Sequence, residues 1–264
     1  SRDKEKDYVD LDEVSSYNPV NSNEYVLVSF APIWKLSVFL EKLHKKDFLK
    51  FIKIKGLIIC SSSSVITKRF SYNNFDKELY SLLKNSEERI MKLFEKYAVP
   101  VSIIQPSLIY GNVGKYKDKN LNLIISLMRK IPFILIPSES GTRQPIHAYE
   151  LAEIVLLRYK MIIRGELKGK EKILLGGDHE ITYEIMIKKI QNSLPKFDKG
   201  RKCKIILINK KIFVFLISPL NLISPKLFES LLRINADLSG FYKVSEFTGN
   251  RKLDFPVIEE DYFL

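Results

Sequence analysis

A tyrosine and a lysine four residues apart, in the run Tyr80-Ser-Leu-Leu-Lys84, place two chemically useful groups on one face of a helix. An ammonium beside a phenol lowers the phenol's pKa, which is how a tyrosine serves as an acid/base near neutral pH. Upstream, the serine run Ser61–Ser64 follows an apolar stretch and offers hydroxyls to a substrate hydroxyl or carbonyl. Further on, VSIIQPSLIYG (Val101–Gly111) reads as a strand, a proline that stops it and a Tyr-Gly turn. Arg143 and His147, four apart at the start of a helical pattern, suit an anionic or sugar-phosphate group. Plainer readings stand beside these. A solvated turn accounts for the serine run equally well, a single histidine is more often structural than catalytic, and a chain with 13 tyrosines produces Tyr–Lys spacings by chance.

These residues need elements to hold them, and the hydrophobic pattern supplies an alternating set. EYVLVSF (Glu24–Phe30) is a short apolar run of the kind buried on both faces of a parallel sheet. Apolar positions at helical spacing follow over 33–51, with lysines on the other side and in the last turn. A second strand over Gly56–Cys60, a helix over Phe75–Tyr97 and a third strand from Pro100 complete βαβαβ, which argues for right-handed crossovers. Beyond it the pattern predicts a helix over Asn120–Lys130, a strand over Phe133–Ile136, a helix over Ala148–Tyr159, a strand over Lys172–Leu175 and a helix over Thr182–Asn192. The fold class expected is α/β: a Rossmann-like parallel sheet with helices on both faces, incomplete at its N-terminus, plus a small, mostly helical C-terminal lobe. The domains expected are 1–193 and 194–264. In such a sheet ligands bind at the carboxyl ends of the strands, near the point where strand order reverses.

Composition narrows the partners. A chain of 264 residues with 45% hydrophobic content can bury a sizeable core. Its formal charge of +12 raises nucleic acid as a partner, but the lysines are dispersed among Ile, Leu and Asn rather than gathered with aromatics, so nucleic-acid binding is not expected. Two distant cysteines, Cys60 and Cys203, fit neither a disulfide framework nor a metal site, and point to a cytoplasmic or other reducing compartment. The most apolar stretch, Ile205–Ile217, is broken by Asn209, Lys210 and Lys211 and is too short to span a bilayer; it reads as a lobe helix or strand pair, and no membrane partner is expected. Residues 1–12 are charged and carry no secretory pattern. Self-association stays open.

Taken in order, the blocks resemble the NAD-dependent epimerase/dehydratase family, the extended branch of the short-chain dehydrogenase/reductases, and particularly its sugar-nucleotide epimerase-like members. SFAPIW resembles the strand end with a small-residue/Pro loop, SSSSV the serine-bearing strand end, and Glu87-Glu88 the acidic pair that closes the next helix. QPSLIYG is similar to the Arg-Pro strand end with its Tyr-Gly, RQPIH to the Arg-x-Pro-Val-His block, and LLGGDHEITYEIMIKKI to the substrate-side region. The resemblance covers about 24–192. It implies a domain that binds NAD or NADP and a nucleotide-sugar-like substrate, and that transfers a hydride at a sugar carbon. Carried onto this chain, it implies Ser62 (or Ser63) to orient substrate, Tyr80 as acid/base, and Lys84 to hold the ribose and lower the tyrosine's pKa. Ala31, Pro32, Ser61, Pro106 and Ser107 would flank the cofactor, and Tyr110, Arg143 and His147 would face the substrate. No metal is implied.

Several positions depart from the family pattern. Its Gly-x-x-Gly-x-x-Gly turn belongs some tens of residues before EYVLVSF, yet no glycine precedes Gly56. The first βαβ unit is therefore expected to be absent, with Tyr8–Leu11 as the strand before it. Gln105 stands where the family usually has Arg, and Tyr149-Glu150 where a paired Asp-Asp is common. The Tyr80–Lys84 pair lies closer to the serine loop than usual, in a register against Glu87-Glu88 that fits members without such a tyrosine. Glu87 and Glu88 themselves read as solvated helix charges. Two functions follow: an epimerase/dehydratase-like oxidoreductase, or a catalytically degenerate scaffold or binding protein that keeps the sheet.

Overall fold

The computed structural model describes residues 9–17, 19, 24–112, 117–249 and 253–257. In chain order the elements are β1 (Tyr25–Ser29), α1 (Ile33–Lys46), α2 (Phe48–Phe51), β2 (Ile54–Cys60), α3 (Ser64–Thr67), α4 (Asn74–Leu93), β3 (Val101–Pro106), β4 (Ile109–Tyr110), α5 (Lys119–Lys130), β5 (Phe133–Pro137) and β6 (Thr142–Arg143). Then come β7 (Ile146–His147), α6 (Ala148–Ile163), β8 (Lys170–Gly176), β9 (Ile181–Thr182), α7 (Tyr183–Ser193), β10 (Lys204–Ile208), α8 (Lys210–Ile217), α9 (Leu220–Ile223), α10 (Pro225–Leu232), β11 (Tyr242–Lys243) and α11 (Val244–Thr248). The central sheet has five strands in the order β1-β2-β3-β8-β11, with parallel pairing of β1 to β2, β2 to β3 and β8 to β11. This is the α/β class expected.

Two readings change. Of the Tyr8–Leu11 segment, Tyr8 lies outside the described residues and 9–11 form irregular chain and a turn rather than a strand. Ile205–Ile217 is neither a helix nor a strand pair alone. Asn209 divides it, its side chain accepting from the Lys211 backbone N–H, so β10 ends and α8 begins at that cap.

The chain packs as two units, neither of them a single run. The first takes 1–66, 78–105 and 155–173. In its core Leu57 and Ile59 of β2 and Val101 and Ile103 of β3, every second residue, meet Leu36, Phe39, Leu40 and Leu43 of α1, Leu83 and Ile90 of α4, and Phe94 just past it. Gly56 faces the opposite side of β2, where a Cβ would lie 2.5 Å from Ile162 Cγ2, so glycine there lets α6 pack close to the sheet.

The second unit takes 67–77, 106–154 and 174–264. Its core joins Leu121, Ile125 and Met128 of α5 to Met186, Ile187 and Ile190 of α7. Both helices have side-chain caps. Asp118 accepts from the Asn120 and Leu121 backbone N–H groups, and Thr182 from that of Ile185. Short pairings complete the unit: β10 with β5, β4 with β7, and β6 antiparallel to β9.

Candidate functional site

Glu87 is wholly buried, although glutamate on a helix normally faces water. The inward stripe of α4 runs through Leu79, Leu83 and Ile90 at helical spacing, and Glu87 falls on it. A carboxylate carried inside must find donors, and this one has three. Ser61 Oγ, just past β2, donates to Oε1 at 2.6 Å; Gln105 Nε2 on β3 donates to both oxygens at 2.8 Å; and Lys172 Nζ on β8 lies 2.8 Å from Oε2. The expectation of a solvated charge is corrected for Glu87, while Glu88, one residue round the helix, is exposed. Gln105, singled out only as a departure from arginine, is one of the donors. A polar residue on an otherwise apolar stripe was the signal available.

This register decides where the Tyr–Lys pair goes. Tyr80 and Lys84 lie one position beyond Leu79 and Leu83, so Tyr80 is half-buried and Lys84 exposed. Lys84 Nζ sits 5.9 Å from the centre of the Tyr80 ring. Ser62 Oγ accepts from the Ser64 backbone N–H at 3.1 Å and so caps the turn into α3. Among the described residues no hydrogen bond joins Tyr80 to Ser61, Ser62, Ser63 or Lys84.

In the second unit the 142–147 segment is occupied with holding chain. Arg143 is buried, and its guanidinium donates to the carbonyls of Thr142 at 2.6 Å, Ala236 at 2.7 Å and Arg233 at 2.5 Å. Burial lowers its pKa. Gln144, fully buried, donates from Nε2 to the carbonyls of Gly177 at 2.8 Å and Phe241 at 3.0 Å, and its Oε1 accepts from the Phe241 N–H at 2.9 Å. His147 is buried too, with its ring 5.0 Å from Tyr110 and 5.2 Å from Tyr149, and burial lowers its pKa, so the imidazole is neutral at neutral pH. Tyr110 packs in the core against Phe255, its pKa raised by burial. Gly111 explains the Tyr-Gly turn, because its φ of +117° is left-handed and a Cβ there would lie 2.6 Å from His147 Nε2.

The groups that the resemblance assigns to a dinucleotide are similarly engaged. Ser61 gives its proton to Glu87, and the Ala31 N–H donates to Ser29 Oγ at 3.3 Å. Ser107 Oγ donates to the Gln144 carbonyl, and the Ser107 N–H to the Leu175 carbonyl at 2.8 Å. Pro32 and Pro106 have no N–H to offer. Among the described residues there is no group of three or more His, Cys, Asp or Glu placed to hold a metal ion. No helix among them is long and apolar enough to cross a membrane.

No protein-family model and no curated protein matches the chain. Solved structures do match it in fold. The UDP-glucose 4-epimerase from Brucella ovis in complex with NAD superposes with a TM-score of 0.51 at 13% identity, over 75% of this chain and 68% of that one. A protein designated gox2253 gives a TM-score of 0.51 at 13% identity, over 87% of this chain and 70% of the other. The dTDP-glucose 4,6-dehydratase from Bacillus anthracis in complex with NAD gives 0.47 at 17% identity over 70% of this chain, which spans 60% of the dehydratase's length. The likeness is one of fold: a Rossmann-like α/β protein.

Proposed function

We propose that this chain is an epimerase/dehydratase-like Rossmann protein that has kept the sheet and not the proton-transfer chemistry, and that it works as a scaffold or binding domain. The observation that supports this is the register of α4. Glu87, held by donors on three strands or strand ends, fixes which face of the helix turns inward, and that face carries Leu79 and Leu83 while Tyr80 and Lys84 lie beside it. The engagement of Arg143 and Gln144 with backbone carbonyls supports the same reading.

The test is a titration of NAD and NADP, each with UDP-glucose as a probe nucleotide sugar, following nicotinamide fluorescence, thermal midpoint and the sugar product. No turnover and no shift of the midpoint are expected. Cofactor binding at a hundredfold excess over Kd would instead stabilise the chain by about 2.7 kcal/mol. Turnover would overturn the proposal.

A second reading is hydride transfer with NAD or NADP, using Tyr80 as acid/base, Lys84 beside it and Ser62 to orient a nucleotide-sugar-type substrate. It is favoured by the closeness of the Lys84 ammonium to the Tyr80 ring, 5.9 Å. Loss of turnover in Tyr80→Phe would distinguish it from activity arising elsewhere.

A further inference from the structure

We propose that the second unit carries a membrane-docking face, with which the protein rests on an anionic lipid surface without crossing it. The face is built on α8, α9 and α10. Phe213 and Ile217 of α8 turn inward to Ile234, Phe228 and Leu231. Ile212, Phe215 and Leu216, at i, i+3 and i+4, form an opposite stripe that is exposed. On α9, Leu222 and Ile223 are 90% and 80% exposed. The chain before α4 adds Phe70 and Tyr72, 82% and 90% exposed.

That chain and the first turn of α4 are fastened to α10 and the residue that follows it. Arg233 Nη1 lies 2.5 Å from Asp76 Oδ2, the Asn73 N–H donates to Glu229 Oε1 at 2.5 Å, and Lys226 Nζ sits 5.4 Å over the Phe75 ring. Scattered hydrophobics are normal on a surface, but a set this large on packed neighbouring elements marks an interaction site.

The charges say what covers it. Lys210 and Lys211 open α8, Lys226 opens α10, all three exposed, and neither first turn has an acidic residue. Cations are disfavoured at a helix N-terminus, so these three are placed against the local dipole. Arg69 stands 5.2 Å over the Phe70 ring. The acids nearby do not offset them as a set: Asp76 is taken by Lys68 and Arg233, Glu229 by Asn73 and Arg233, while the exposed Asp237 acts on Lys210. An apolar stripe flanked by lysines is the pattern of helices that lie in a lipid interface, and anionic headgroups attract such lysines. A second copy would bring the same cations face to face. No helix among the described residues is long and apolar enough to cross a membrane, and resting on a surface does not require one.

The experiment is sedimentation of the full chain with phosphatidylcholine vesicles, with and without phosphatidylserine. Binding is expected only with phosphatidylserine, and is expected to weaken as salt rises. The pairs Leu222→Glu/Ile223→Glu and Lys210→Glu/Lys211→Glu should each weaken it at least tenfold at an unchanged thermal midpoint, because these side chains are exposed. The proposal is overturned if neither vesicle binds, if both variants bind like the parent, or if light scattering shows in place of lipid binding a dimer that Leu222→Glu/Ile223→Glu dissolves.

Discussion

Removing the Glu87 carboxylate strands the Gln105 amide and leaves Lys172 facing a gap, so Glu87→Ala should destabilise the chain by about 3 kcal/mol, read as a shift in the urea midpoint. Tyr80→Phe, at a half-buried position without a hydrogen bond to the serines or Lys84, should move the same midpoint by no more than about 0.5 kcal/mol. Asp76 gives a pH signature. Burial works to raise its pKa, but hydrogen bonds from Lys68, Asn73 and Arg233, with the Arg233 charge, outweigh it and hold the carboxyl well below its ordinary range. A depressed folded-state value means that the unfolded chain takes up the proton first. The stabilisation is therefore complete above the ordinary value of 3.8 and is lost as pH falls below it. Asp76→Asn should lower Tm at neutral pH, and the gap to the parent should close as the pH drops from 4 towards 2; a gap constant with pH would show that Asp76 does not titrate as described. At this scale the sequence was least legible. Residue types single out Tyr80 as an acid/base candidate and Arg143 and His147 as substrate-facing ones, but whether a polar group faces ligand or carbonyl depends on chain that is remote in sequence, such as Arg233 and Ala236 for Arg143.

Elements were far easier to read, because hydrophobic periodicity is a local property. The helices α4, α5, α6 and α7 and the strands β2, β3, β5 and β8 lie where the pattern places them, with ends moved by a few residues. What periodicity does not carry is pairing between short segments. β6, β7 and β9 have two residues each, too few for any repeat to register, and their two-residue pairings are supplemented by side-chain hydrogen bonds nearby. Gln144 is the main example, since its amide bridges the Gly177 carbonyl and the Phe241 backbone. Gln144→Ala leaves those groups without that partner and should cost about 1–3 kcal/mol. Hydrogen exchange locates the effect. Faster exchange is expected at Phe241 and its neighbours, whereas α1 and β1, in the other unit, should keep their protection.

For the whole molecule, the decisive property is how often the chain passes between its two units. The expected boundary at 193/194 lies inside the second unit, which draws on 67–77, 106–154 and 174–264. Such interleaving has no signature in local pattern, because it is fixed by which distant segments share a core. Leu194, Cys203 and Phe255 complete the cluster that α5 and α7 begin. β10 supplies the parallel partner of β5, pairing from Lys204↔Phe133 to Ile208↔Pro137. The carbonyls of Arg233 and Ala236 receive the buried Arg143 guanidinium. A chain ending at residue 193 would lose all three, exposing one side of β5 and leaving the Arg143 guanidinium with the Thr142 carbonyl but not those of Arg233 and Ala236. Its first unit keeps every segment assigned to it, so 1–193 should retain the protection of β1, β2 and β3 against hydrogen exchange while α5 and β5 exchange freely and the molecule binds a hydrophobic dye. Uniform protection across 1–193 would show that the tail is a separable lobe after all.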